Sequence, residues 1–262
     1  MTAAPCRFTW GLCFQACLCL ALMSGVSCSK SPTRANHGDA TLSARPAEPT
    51  FTAPRGLSSL TLGAGRDGWL YVPAGYAAQH PAPLIIALHG SGGRATDWYD
   101  LREEAEARGI ILLVPDARDV TWDLLYGKYG EDVAFIDLAL AHTFARCRID
   151  PDRITLLGFS DGASYALSLG TANGDLFSHL VAFSPGLLDL TTKRHGEPPI
   201  FVSHGTQDNI LLASLTRDGI VPRLRRWGHE VTFTEFGGGH TYPPDILTAA
   251  LDWFGTSRTE GN

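Results

Sequence analysis

Apolar residues in this chain fall into two kinds of run. "PLIIALHG" (83–90), "GIILLVPDA" (109–117) and "RITLLGFS" (153–160) are short and almost unbroken, as strands buried on both faces of a parallel sheet read. "LVAFSPG" (180–186), "PIFVSHG" (199–205) and "VTFTEFGG" (231–238) continue the series. The other kind is periodic. "EDVAFIDLALAHTFARC" (131–147) sets Val133, Ile136, Leu140 and Phe144 at spacings of three and four, which puts them on one helical face. "DWYDLREEAEARG" (97–109) ends on Gly109 at a C-cap position, with Glu103 and Glu104 on a solvated face. "ILTAALDWF" (246–254) reads as a closing amphipathic helix, and "SSLTLGAGRDGWLYVP" (58–73) as an antiparallel hairpin with a Gly-rich turn.

Strands alternating with helices predict an α/β fold: a mostly parallel open sheet covered by helices on both faces, in a single domain. No internal repeat or second-domain boundary interrupts the series from Gly56 onward. In such sheets function sits at the C-terminal ends of the strands.

One of those ends carries "ITLLGFSDGASYAL" (154–167), in which Gly158-Phe159-Ser160-Asp161-Gly162 separates a strand pattern from a small-residue helix. Strand, sharp turn and helix around a glycine-flanked serine make the setting of a nucleophile elbow. The glycines keep side chains away from the place where strand and helix backbones meet, so that the Ser160 hydroxyl projects. A serine hydroxyl is a weak nucleophile at neutral pH and needs a base, which in turn needs an acid to orient it. Asp208 follows the strand "PPIFVSHGTQDNIL", and His240 follows "VTFTEFGGGHTYP", giving the chain order serine, acid, histidine. Asp175 and Asp189 also lie between Ser160 and His240 but follow no clear strand, and Asp208 has the alternative of an Asx turn. His89, His204 and His229 read as structural residues near strands. Gly237, Gly238 and Gly239 give the His240 loop freedom to bring an imidazole to Ser160.

Acyl transfer also needs N–H donors for a developing oxyanion. The loop His89-Gly90-Ser91-Gly92-Gly93 follows a strand directly, so the backbone N–H groups of Ser91 and Asp161 are the candidates, with a plain glycine turn as the alternative. Trp122 and Tyr126, in "DVTWDLLYGKYG", are candidates for a substrate pocket on the same edge. No phosphate-binding Gly-rich fingerprint and no His/Cys cluster with metal-ligand spacing appears, so neither a metal nor an organic cofactor is implied.

The N-terminus adds a compartment. Arg7 precedes an uncharged run from Trp10 to Val26, followed by Ser27-Cys28-Ser29-Lys30, the pattern of a secretory signal over residues 1–27. An uncleaved membrane anchor is the alternative. Cys28 is also placed for the lipidated first residue of a bacterial lipoprotein, a membrane tether, although Gly25 stands where that pattern usually has leucine. Residues 28–55, rich in Ser, Thr, Ala and Pro, predict a flexible linker, leaving 56–262 as the folded domain. Of six cysteines only Cys28 and Cys147 would survive signal cleavage, so no disulfide framework is available, and Cys147 reads as a half-buried packing residue. A net charge of -6 on 262 residues, 18% of them charged, offers no basic footprint for nucleic acid.

With these residues in place, the chain from about 60 to 255 resembles the α/β-hydrolase superfamily. Within it the stretch "EDVAFIDLALAHTFARCRIDPDRITLLGFSDGAS", with "SHGTQDNIL" and "GGGHTYP", is similar to phospholipase/carboxylesterase-type esterases and the related polyhydroxybutyrate depolymerase and feruloyl esterase group. The resemblance implies an exported serine hydrolase that cleaves small-molecule carboxylic esters through an acyl-enzyme. It leaves open an envelope peptidase or acyltransferase with the same residues, or a non-catalytic binding lipoprotein. Many secreted depolymerases carry disulfides and a polymer-binding module that this chain lacks, which favours a small, open-site esterase.

Overall fold

The structure, a computed structural model, describes residues 39–63 and 65–256. The signal run, Cys28 and residues 29–38 of the expected linker lie outside the described residues.

Eight strands form one sheet in the order β1-β2-β4-β3-β5-β6-β7-β8. β1 (Gly56–Ser59) and β2 (Gly68–Val72) make the antiparallel hairpin, and β2 pairs antiparallel with β4 (Ile111–Pro115). From β4 onward every pairing is parallel, through β3 (Ala82–Leu88), β5 (Ile149–Phe159), β6 (His179–Phe183), β7 (Ile200–Gly205) and β8 (Val231–Phe236). β3, β4, β6 and β7 are buried at every position, so their unbroken apolar runs serve two cores at once. Along β3, Leu84, Ile86 and Leu88 enter one cluster and Ile85 and Ala87 the other, as the period of two requires.

The first cluster is closed by α2 (Glu131–Phe144), α3 (Asp161–Ala172) and α4 (Val221–Arg226). The second is closed by α1 (Leu101–Arg108) and α5 (Pro244–Thr256). α1 stops at Gly109, whose φ of 67° is left-handed, a conformation glycine adopts without a Cβ penalty. α3 lies deepest, buried from Gly162 to Ala172, and only small residues let it approach the sheet: a Cβ on Gly170 would sit 2.3 Å from Leu180 Cδ2.

Two expectations change. Residues 39–55 are not a free linker, because they lie along the domain. Leu42 is buried in the first cluster, its N–H donates to Asn173 Oδ1 at 2.8 Å, and Asn173 Nδ2 returns a bond to Ala40 O. Ser43 and Ala44 N–H groups donate to Asp137 Oδ1, and those of Thr50 and Phe51 to Ala145 O. A segment without periodicity is thus held by acceptors that α2 and the end of α3 supply, with one leucine as its anchor. The second change concerns Cys147, which is fully buried beyond the end of α2, its thiol pushed up to about 12 by desolvation. The helix itself stops at Phe144.

Candidate functional site

The turn between β5 and α3 has the geometry that its glycines imply. Ser160 has φ 57° and ψ -120°, a region costly for a residue with a Cβ and kept only where the surroundings enforce it. Here they do. A Cβ on Gly158 would lie 2.2 Å from Gly162 O, and one on Gly162 would lie 2.3 Å from Leu88 O and 2.5 Å from His89 O. Three backbones therefore meet at van der Waals distance, and the Ser160 N–H is tied to Phe183 O at 2.9 Å.

His240 arrives from the loop after β8. The loop packs closely on the end of β7, where Gly205 makes room for it: a Cβ on Gly205 would lie 2.3 Å from Gly239 O, and Gln207 N–H donates to Gly238 O at 2.8 Å. The ring, 4.8 Å from Phe159, places Nε2 2.8 Å from Ser160 Oγ and Nδ1 2.6 Å from Asp208 Oδ2. Asp208 performs the turn role and the partner role together, since its Oδ1 accepts the N–H groups of Ile210 and Leu211, both at 2.9 Å. Burial alone would raise its pKa, but the hydrogen bond from His240 and the two N–H donors outweigh it, so Asp208 titrates below the ordinary carboxylate range. The alternatives lie elsewhere: Asp175 is an exposed partner of Arg45, and Asp189 caps the turn at Thr191 and Thr192.

The loop after β3 lies against this turn, with a Cβ on Gly90 only 3.3 Å from Ser160 Cβ. Gly92 N–H donates to Val120 O and Gly93 N–H to Gly90 O. His89 donates from Nδ1 to Gly90 O (2.7 Å) and accepts the Ala117 N–H at Nε2 (3.0 Å), the pattern of a neutral imidazole, in keeping with desolvation lowering its pKa. Arg66 clamps the same loop through Gly93 O and Ala117 O. Ser91 follows Gly90 in this braced loop. Asp161 opens α3, where first-turn N–H groups have no helical acceptor, and its carboxylate is fixed by Thr121 Oγ1 at 2.7 Å. The Ser91 loop and the first turn of α3 thus lie beside Ser160.

Trp122 does not line a pocket. It is fully buried, its indole N–H donates to His89 O at 2.8 Å, and its ring packs on His89 and Tyr165. A buried indole needs an acceptor, and this one is the carbonyl that starts the Ser91 loop, so Trp122 supports the site from behind. Tyr126 is 62% exposed and lines a cavity of about 360 Å³ with Thr121, Asp123 and Tyr129. Exposed apolar side chains also lie on the segments beyond Ser164 and Asp208: Leu187, whose N–H rests on Ser164 Oγ, and Ile210, Leu212 and Leu215 after Asp208. The run "NILLASL" straight after the acid was the available signal. Among the described residues no group of three or more His, Cys, Asp or Glu could hold a metal ion.

Residues 131–257 match the phospholipase/carboxylesterase family model. The chain is 29% identical to feruloyl esterase C of Emericella nidulans over 174 residues, covering 63% of this chain and 61% of that one. A match to acyl-protein thioesterase 1 of Neurospora crassa, also at 29%, covers 70% of this chain and 89% of the other. The chain spans less than two thirds of the feruloyl esterase lengths, 56% for the Aspergillus clavatus protein. Among solved structures, the thermophilic esterase Est2 of Thermogutta terrifontis superposes with a TM-score of 0.60 at 17% identity, covering 83% of this chain and 99% of that one, a likeness of fold.

Proposed function

We propose that the chain, whose fold is that of α/β-hydrolase esterases, is a serine hydrolase of carboxylic esters working through an acyl-enzyme. The observation that carries the reading is the continuous relay from Ser160 Oγ through His240 to Asp208, at 2.8 and 2.6 Å. Ser160 Oγ attacks the ester carbonyl carbon while His240 Nε2 takes the hydroxyl proton. The tetrahedral oxyanion lies toward the N–H groups of Ser91 and Asp161. His240 then gives its proton to the departing alcohol, and a water repeats the sequence to release the acid. Asp208 keeps the proton of the neutral ring on Nδ1, which leaves Nε2 free to accept. Because His240 must be unprotonated to act as base, kcat/KM falls on the acid side. The apolar side chains at 187, 210, 212 and 215 suit the hydrocarbon part of an ester, and feruloyl esterase and thioesterase relatives are compatible with more than one leaving group.

The test is hydrolysis of p-nitrophenyl acetate, butyrate and octanoate by the purified protein beside its Ser160→Ala variant. Turnover that drops by about 10⁴-fold or more in the variant supports the reading. Folded wild type with no turnover, or turnover that survives in the variant, overturns it. Export rests on the apolar run at Trp10–Val26 and lipidation on Cys28; mass spectrometry of the mature N-terminus decides both, and an intact Met1 would end them.

A further inference from the structure

His204 is the penultimate residue of the buried strand β7, its side chain is 0% exposed, and the polar groups that its ring meets can all accept. Nε2 lies 2.8 Å from Leu211 O and 3.1 Å from Asp208 Oδ2, the same oxygen that holds His240. Nδ1 lies 2.9 Å from Thr216 Oγ1, and the Thr216 hydroxyl gives its one proton to Pro185 O at 2.9 Å. A hydroxyl whose proton is committed can only accept. With that proton on Pro185 O, both ring nitrogens of His204 donate.

We propose that His204 is a second, doubly protonated imidazole on Asp208, a positioning residue that fixes the carboxylate from behind and takes a share of its charge. The proposal rests on the esterase reading for its kinetic consequence but not for its chemistry. A carboxylate shared between two imidazoles gives less of its field to either. The His240 imidazolium is then less stabilised than it would be by an unshared Asp208, so the ring stays available as base to lower pH. Other charges leave the pair to itself. Glu235, the register partner of His204 on β8, is bound by Arg217, which also pairs with Asp218 at the surface. On the serine side, Asp161 is held by Thr121.

Two substitutions separate the two ring nitrogens. His204→Asn can place an amide near Nδ1, reaching Thr216 but not Asp208; His204→Gln can place one near Nε2, keeping an N–H beside Leu211 O and Asp208 Oδ2 without the charge. The Asn variant is expected to lose about tenfold in kcat, with KM little changed, as Asp208 loses its rear support. Its acid limb of kcat/KM should move up by about 1 unit. The Gln variant should recover most of kcat with an intermediate limb. Equal behaviour of the two variants, with limbs unmoved from wild type, would overturn the proposal. A measurement on unsubstituted protein decides the proton independently of activity and of whether the variants fold. ¹⁵N-imidazole NMR, with His204 assigned through its contacts to Thr216 and Leu211, should show a proton on each of its nitrogens at neutral pH. A pyridine-type nitrogen there would refute the proposal even if the protein is an esterase. Absent turnover with both protons present would refute only the esterase.

Discussion

His240 and His179 stand at opposite ends of one parallel sheet, and both pack against aromatic rings. His240 meets Phe159 at 4.8 Å, whereas His179, the first residue of β6, lies edge-on to Trp253 and Phe254 at 5.3 and 5.2 Å. Their polar surroundings differ. At the C-terminal edge each ring nitrogen of His240 has a partner on a different loop. At the N-terminal edge the Nδ1 of His179 meets Ser178 Oγ, while its Nε2 is buried with no hydrogen-bond partner among the described residues. β6 joins the two environments, since it begins at His179 and ends at Phe183, whose carbonyl holds the Ser160 N–H. The contrast shows that residue type and burial alone do not bring a histidine into a hydrogen-bonded relay. What matters is loops that cross at one strand end and bring a donor and an acceptor to the same ring.

The sharpest way to break that contrast is to leave His240 in place and change what orients it. Asp208→Asn keeps the shape and an acceptor for Ile210 and Leu211, but it presents an amide to Nδ1 or reverses the tautomer. A drop of about 10⁴-fold in kcat, equivalent to about 5.5 kcal/mol, is expected. Steady-state kinetics on the ester that wild type prefers measures it, and a loss under tenfold would mean that Asp208 only makes a turn. Next in size is Gly162→Ala. The added carbon meets Leu88 O and His89 O at 2.3 and 2.5 Å, and neither backbone can retreat without moving the Ser91 loop. Overpacking of this kind costs about 1–3 kcal/mol, and displacing reacting groups by about 1 Å costs about 100-fold in rate. Gly75→Ala, where nothing lies within 4 Å of the new carbon, is the control. Equal activity and equal melting temperature for the two variants would show that the close approach at the turn is unimportant.

Much of the C-terminal edge was legible because its signals are local. Buried strands announce themselves as unbroken apolar runs, and the turn at Ser160 needs glycines at two fixed offsets, so both features survive in a short window. Asp208 and His240 were found through chain order and strand ends, without any distance. What escaped depends on partners far along the chain. Trp122 read as a pocket residue because nothing near it in sequence reveals that its indole N–H finds His89 O. Residues 39–55 read as a linker because the groups that hold them, Asn173 and Asp137, lie 131 and 94 positions away from the residues they bind. His204 was read as structural, which describes its burial but not the Asp208 oxygen beside it. The π-helical turn at Leu215–Ile220, which supplies Thr216, gave no periodic signal at all.

The smallest expected effect lies at the other edge and sharpens the comparison from the side of stability. Desolvation, with the nearby Arg153 charge adding to it, lowers the pKa of His179 to about 4. The unfolded chain, with its histidine near the ordinary value of about 6.5, binds this proton first as pH falls. The folded state is therefore penalised progressively from about pH 6.5 down to about 4, by at most about 3 kcal/mol, and not above that window. His179→Phe fills the same slot between Trp253 and Phe254, gives up the contact with Ser178, and removes both the titration and the unpartnered nitrogen. Groups that also titrate in this range, among them buried Asp132, raised to about 6, are common to both proteins and cancel in the difference. Melting temperatures should agree within a few degrees at pH 7.5 and separate in favour of the variant as pH falls through 6 to 5. Curves that stay parallel over that range would mean that His179 takes up its proton without strain, and the N-terminal edge of the sheet would then be as well solvated as the edge that carries Ser160.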